Sequence, residues 1–264
     1  MSISLRHITL AYGSRTLLQD VSAEIPQASL TAFIGRNGTG KSTLLRTIAG
    51  LTPPAAGEIR LCGEPLSALP PRRLAATVSF VATDKVRIAN LTCEELVALG
   101  RAPYTDWIGR MQQSDRAIVR RALETAGIAD LARKTMDTLS DGECQRAMIA
   151  RALAQDTPVM LLDEPTAFLD LPNRYALASL LRRLAREERK CILFSTHDLD
   201  IALNLCDTVL LIDTPALHHL PAADMAASGS IERLFAGAGL TFDPVSGRIS
   251  AQQEQPVMPP DLRR

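Results

Sequence analysis

Nine residues constrain this 264-residue chain more than any others. Gly35-Arg36-Asn37-Gly38-Thr39-Gly40-Lys41-Ser42-Thr43 follows the short apolar run Leu30-Thr31-Ala32-Phe33-Ile34 and precedes Leu44-Leu45-Arg46-Thr47-Ile48. The first run reads as a buried strand and the later stretch as a helix, so the glycine-rich segment must turn the chain between them. The pattern G-x-x-x-x-G-K-S in a strand–turn–helix setting points to a phosphate cradle. Glycines let the backbone wind until several N–H groups point inward, and the helix adds its positive N-terminal end. Lys41 is then the cation for the β- and γ-phosphates and the Ser42 hydroxyl a magnesium ligand, while Gly35, Asn37, Gly38, Thr39, Gly40 and Thr43 form the rest of the cradle.

A second apolar run, Val159-Met160-Leu161-Leu162, ends in Asp163-Glu164, which puts two carboxylates at the carboxyl end of a buried strand beside the cradle. Asp163 suits the magnesium shell; Glu164 stands where a carboxylate can hold and polarise the water that attacks a γ-phosphate. Cys191 to Ser195 is another continuous apolar run, and Leu177, Leu180, Leu181 and Leu184 make a helical stripe between the two. Such runs suit a sheet covered on both faces, and the pair reads as a parallel βαβ unit. Near-alternation in Ile3, Leu5, Ile8, Leu10 and then Val21, Ala23, Ile25 predicts an antiparallel edge at the start. Thr92 with Glu95 forms a capping box for a helix through Leu96, Val97 and Leu99 that Gly100 closes, and a mainly helical insert runs on to about residue 155.

The length accommodates one large α/β domain with an insert but is short for two. Hydrophobic residues at 46% against 22% charged supply a sizeable core. Lys plus Arg equals Asp plus Glu at 29 each, so no overall field exists to hold nucleic acid, which is not an expected partner. The five cysteines are odd in number and widely separated, without C-x-x-C spacing, and read as reduced cytosolic thiols. No window approaches the roughly 20 apolar residues of a membrane span, and no leader opens the chain, so a role at a membrane requires a partner. His218-His219 has no Cys or acidic partner at ligand spacing and reads as a surface loop. After Asp213 the pattern is broken by Pro215, Pro221, Gly229, Gly237 and Gly239, and Asp243 to Gly247 reads as a turn.

With these residues in place, Leu139-Ser140-Asp141-Gly142-Glu143 resembles the LSGGQ signature of ABC ATPases, upstream of the paired acids by the usual interval. Ala167-Phe168-Leu169-Asp170 is similar to the D-loop, Ser195-Thr196-His197-Asp198 to the switch region with its histidine, and Tyr12 takes the A-loop position. The resemblance covers about residues 1 to 213 and implies a P-loop NTPase (ABC ATPase) core of α/β class, with an antiparallel β edge subdomain and an inserted α-helical subdomain. It implies ATP and Mg²⁺ as cofactors, Tyr12 stacked on adenine, His197 on the γ-phosphate and Asp170 communicating between subunits. Ser140 and the backbone around Gly142 would complete the ATP site of a second copy, giving a nucleotide-sandwich homodimer. Two positions depart from the family. Asp141 stands where a glycine is usual, and should point away to stabilise the next helix. Thr83 stands at the glutamine position of the Q-loop, so either Thr83 or Asp84 is left to reach the metal.

Asn90-Leu91-Thr92 through Glu95 to Arg101, then Pro103-Tyr104-Thr105-Asp106-Trp107, is similar to the subfamily that imports iron-siderophore, haem or cobalamin complexes. That resemblance implies permease subunits as partners, a periplasmic or lipoprotein binding protein acting indirectly, and a peripheral place on the cytoplasmic side of the bacterial inner membrane. The rivals are an ABC exporter motor and a soluble ABC ATPase; the latter usually carries tandem cassettes or long coiled-coil inserts, and neither is present. The expected organisation is an ATPase domain over residues 1–220, with its core at about 1–88 and 156–213 and the helical signature subdomain at about 89–155. A C-terminal extension over 221–250 and a disordered tail over 251–264 follow.

Overall fold

The computed structural model describes residues 2–84, 87–106, 108–167, 169–235, 239–244 and 247–251. The chain opens with β1 (Ile3–Tyr12), β2 (Arg15–Ile25) and β3 (Ser29–Gly35), then α1 (Lys41–Ile48), β4 (Ala56–Leu61) and β5 (Glu64–Pro65). Next come α2 (Pro71–Thr77), β6 (Val78–Val81), α3 (Cys93–Ala98), a 3₁₀ segment Leu99–Tyr104, α4 (Gln113–Thr125) and α5 (Asp141–Ala154). The second half holds β7 (Val159–Leu162), α6 (Leu171–Glu187), β8 (Cys191–Ser195), α7 (Leu199–Asn204), β9 (Thr208–Asp213) and β10 (Ala216–Pro221). It ends with α8 (Ala222–Ala227), α9 (Ser230–Leu234), β11 (Leu240–Asp243) and β12 (Arg248–Ala251).

The central sheet has the order β10-β9-β3-β8-β7-β6, parallel except for β10, and β2-β1-β4-β5 form an antiparallel sheet. The side-chain period of two divides β3 between two cores. Leu30, Ala32 and Ile34 pack with the helices on one face, while Phe33 joins α1 and the antiparallel sheet on the other. β7 divides in the same way, Met160 and Leu162 to one side and Val159 and Leu161 to the other. Burial on both faces explains why these strands read as unbroken apolar runs.

The helices α3, α4 and α5 lie between β6 and β7 and are fastened to the sheet by side chains that reach backbone carbonyls. Arg151 of α5 donates to Phe80 O at 2.9 Å, and Gln155 Nε2 to Ala75 O at 2.7 Å. The 99–104 segment supplies a further clamp: Arg101 donates to Ala154 O at 2.8 Å and to Asp115 at 2.9 Å, and the Tyr104 hydroxyl donates to Gln155 O at 2.9 Å. The Arg101 guanidinium sits 4.0 Å over the Tyr104 ring.

Two readings of the sequence are corrected here. Gly100 does not close a helix, because the chain continues as a 3₁₀ segment to Tyr104. Glycine stands there because a Cβ would lie 2.3 Å from Arg151 O, so it records a close approach to α5. His218 and His219 are strand residues in β10, with His219 Nε2 3.0 Å from Thr208 Oγ1, and not a surface loop. Among the described residues after Asp213, Pro221 and Gly229 serve as N-caps of α8 and α9. The turn read at 243–247 joins β11 to β12, although Val245 and Ser246 lie outside the described residues. Ala251 belongs to β12, and the rest of the expected tail lies outside the described residues.

Candidate functional site

The loop between β3 and α1 forms the floor of a cleft of about 280 Å³. Gly40 has φ +106°, a conformation closed to most L-residues, and a Cβ there would come within 2.9 Å of Leu17 Cδ1. The loop is braced from inside, with Thr39 Oγ1 donating to Arg36 O at 2.8 Å. Lys41 Nζ donates to Gly35 O at 2.9 Å and Arg36 O at 3.2 Å. Burial pushes the Lys41 ammonium below the usual lysine range, while the Glu164 and Asp163 carboxylates pull it back up. Asn37, Gly38, Ser42 and Thr43 also line the cleft, and Ser42 is exposed to it.

One wall comes from the β1–β2 turn, where Tyr12 and Arg15 pair across the hairpin. Tyr12 is 75% exposed, an open aromatic face beside the glycine-rich loop and not a packed core ring. Glu164 closes the opposite side of the cleft. Its φ of +49° is uncommon for a non-glycine residue, and the backbone turns sharply there directly after β7. Glu164 Oε1 lies 2.8 Å from His197 Nε2, so two residues 33 apart in sequence meet at the carboxyl ends of adjacent strands.

Asp163 is buried at 3% exposure, and its Oδ1 accepts the Ser195 hydroxyl at 2.8 Å. The same Ser195 oxygen accepts the Glu164 N–H at 2.7 Å. Ser195, fully buried, thus couples both acids, a role that motif reading missed because it treated the residue only as the lead-in to His197. The signal that could have found it is a hydroxyl ending an apolar strand next to a paired-acid strand, where a buried polar group must have partners. Thr83 Oγ1 donates to Asp163 O at 2.9 Å, which brings Thr83 to the acids through their backbone, and Asp84 beside it is exposed.

Ser140, Gly142 and Asp170 do not line this cleft. Ser140 caps α5, its Oγ accepting the Glu143 N–H at 3.3 Å while Glu143 Oε2 accepts the Ser140 N–H at 2.7 Å. Asp141 opens the helix and takes a hydrogen bond from Arg87. Gly142 faces Leu169, where a Cβ would sit 3.4 Å from Cδ2, so the signature-like segment abuts the D-loop-like one. Asp170 caps α6 through the Asn173 N–H at 3.1 Å. Phe168 lies outside the described residues.

Chemically, the cleft offers a lysine ammonium, an aromatic wall and a carboxylate–imidazole pair. Among the described residues no group of three or more His, Cys, Asp or Glu side chains could hold a metal by itself. A hard cation between Ser42 and Asp163 would therefore draw most of its shell from phosphate and water, as magnesium does at nucleotides. No helix of the described residues is long and apolar enough to cross a membrane.

Known proteins resemble this chain in sequence and fold. A family model described as "ABC transporter" matches residues 18–167. The chain is 36% identical over 242 residues to the ferric enterobactin transport ATP-binding protein FepC of Escherichia coli, covering 91% of the chain and 89% of the relative. It is 37% identical over 211 residues to the achromobactin transport ATP-binding protein CbrD of Dickeya dadantii, covering 80% and 78%. Its fold is similar to a metal-chelate type ABC transporter in an inward-facing conformation, with TM-score 0.79, 25% identity and 89% of each chain covered. A dimeric bacterial ABC transporter cassette follows with TM-score 0.73, 27% identity and coverage of 83% and 98%. A glycine-rich loop between β3 and α1 and paired acids at the end of β7, joined to a family match over more than half its length, place this chain in the ABC transporter family as an ATP-binding cassette that hydrolyses ATP.

Proposed function

We propose that the chain is the motor subunit of a bacterial ABC importer, driving uptake of an iron-siderophore, haem or cobalamin-type complex through partner permease subunits. The names of the relatives support this: besides those transporting achromobactin and ferric enterobactin, similar proteins are named for petrobactin, iron(3+)-hydroxamate and cobalamin import. The Arg101–Tyr104 clamp supports it too, since it lies in the stretch that resembles that subfamily. A periplasmic or lipoprotein binding protein would deliver the cargo, and the subunit would sit on the cytoplasmic side of the inner membrane.

The observation that carries the hydrolytic reading is the Glu164–His197 contact at the edge of the cradle. In the proposed cycle Tyr12 stacks on adenine and the loop amides and Lys41 bind the phosphates, while Ser42 and Asp163 would hold Mg²⁺, which would neutralise charge on the phosphates. Glu164 takes a proton from the attacking water while His197 keeps that carboxylate oriented toward the γ-phosphate. Thr83 fixes the backbone under Asp163, and Asp84 is the freer candidate for a water-mediated contact to the metal. Ser140 and Gly142 seal the nucleotide of a second copy and Asp170 stands at the seam, so ATP draws two copies together and hydrolysis parts them.

Purification from a membrane extract tests the reading. Co-purification with a multi-span membrane protein whose cells take up a labelled metal chelate in an ATP-dependent way is the expected result. Association with a membrane protein that expels substrate would favour an exporter motor instead.

A further inference from the structure

Among the described residues, the side chain of Arg36 joins the C-terminal extension to the loop between β3 and α1. Arg36 Nε donates to Leu234 O at 2.7 Å, the carbonyl at the end of α9 and 198 residues away in sequence. That carbonyl belongs to the last helical turn, where backbone acceptors lack partners inside the helix, and a guanidinium is a strong donor for one. The backbone carbonyl of Arg36 accepts from Thr39 Oγ1 at 2.8 Å and Lys41 Nζ at 3.2 Å. One residue therefore bonds to the loop through its backbone carbonyl and to the extension through its side chain.

The extension can act as an anchor because it is itself fixed. Ile231 and Met225 are fully buried in the core that contains β3, together with Ala222 and Phe242. Arg233 donates to Asp213 Oδ2 at 3.1 Å, at the end of β9. β9 in turn pairs with the start of the loop, Ile212 lying opposite Gly35. The loop is thus gripped both through its strand neighbour and through Arg36.

We propose that the C-terminal extension pre-organises the phosphate loop through Arg36, which makes Arg36 a positioning residue for nucleotide binding. The proposal rests on the reading of residues 35–43 as the ATP cradle. Lys41 must leave the carbonyls of Gly35 and Arg36 to meet phosphate. A loop already held in shape loses less freedom when it does so. Arg36 does not line the cleft, so its removal acts on affinity and leaves the Glu164–His197 geometry in place.

The test uses the full-length chain with ATP and magnesium. Arg36→Ala should raise KM and Kd for ATP about threefold to tenfold, with kcat within about twofold of the parent and little change in melting temperature. Arg36→Lys, which keeps a cationic donor, should recover much of the affinity. Ile231→Ala, which loosens α9 from behind, should raise KM in the same direction and combine less than additively with Arg36→Ala. Equal KM in the parent and Arg36→Ala overturns the proposal, as does strict additivity of the two variants. A parent that retains no ATP removes the cradle reading and this proposal together, whereas a parent that binds ATP beside an Arg36→Ala variant that binds it equally removes this proposal alone.

Discussion

His197 Nε2 and Glu164 Oε1 stand 2.8 Å apart, and β8, which ends two residues before His197, also fixes the backbone of Glu164 through the Ser195 hydroxyl. Glu164 is held at both ends, its backbone N–H by Ser195 and its carboxylate by His197. Glu164→Gln keeps the shape but removes the basic oxygen, so kcat should fall about a hundredfold or more while ATP binding persists. The variant should accumulate as ATP-bound dimers on a sizing column. His197→Ala should lower kcat to a similar degree, and the double variant should lose little beyond either single one, because the two residues act as a unit. Turnover at the parent rate in Glu164→Gln would show that another group handles the water.

Ser195 donates to Asp163 Oδ1 and accepts from Glu164 N with no exposure to solvent. Ser195→Ala leaves a buried N–H without its acceptor and a buried carboxylate oxygen without its donor. The expected cost is about 1–3 kcal/mol in stability, with a larger loss of kcat than of ATP affinity. Denaturant unfolding and steady-state kinetics on the same preparation check both parts; unchanged stability would mean that water replaces the hydroxyl at no cost.

Asp115 and Arg101 form an ion pair at 2.9 Å with both side chains 7% exposed. The Gln112 backbone N–H holds the Asp115 carboxyl below the usual carboxylate range against the opposing effect of desolvation, and Arg101 adds to the lowering. A carboxyl depressed in the folded state contributes stability above its unfolded pKa of about 3.9, and that contribution is lost as the pH falls through the folded value. The helical insert should therefore loosen in acid, below about pH 4. Asp115→Ala strands the buried guanidinium and should cost about 3 kcal/mol at neutral pH. The variant's melting temperature should also change less between pH 5 and pH 3 than the parent's, since the titrating group is gone.

The parts of the molecule readable in advance were those where local chemistry and burial agree. Apolar runs at β3, β7 and β8 are buried on both faces, so their composition needs no partner information. The Thr92–Glu95 capping box is a local device and occurs as expected, the Glu95 N–H reaching Thr92 Oγ1 at 3.2 Å. Asp141 was expected to face away from the ligand side; its carboxylate is held by Arg87, a distant partner that no spacing rule supplies. Gly100 and Gly229 looked like breakers, yet one serves a backbone approach between helices and the other caps α9 with φ +70°. His218 and His219 gave no strand signal because β10 is partly buried on both faces, without clean alternation. Ser195 and Arg36 act through contacts 32 and 198 residues away, which local pattern cannot contain.

Arg87 offers the sharpest test of how a carboxylate is tolerated in the signature-like segment. Its guanidinium donates to Asp141 Oδ1 at 2.5 Å, directly after the cap formed by Ser140. In the proposed dimer that segment meets the partner's triphosphate, where an unscreened carboxylate would repel it by about 1 kcal/mol at surface dielectric and moderate distance. Pairing with Arg87 cancels most of that charge. Arg87→Ala should therefore raise KM for ATP a few-fold, about fivefold at low ionic strength, and the effect should shrink in high salt. Asp141→Gly should restore KM in the Arg87→Ala background. It should also weaken α5 by about 0.5–1 kcal/mol, since an acid at a helix start is exchanged for a poor helix former. If Arg87→Ala raises KM equally with and without Asp141, the arginine touches nucleotide or partner directly, and charge cancellation is not its role.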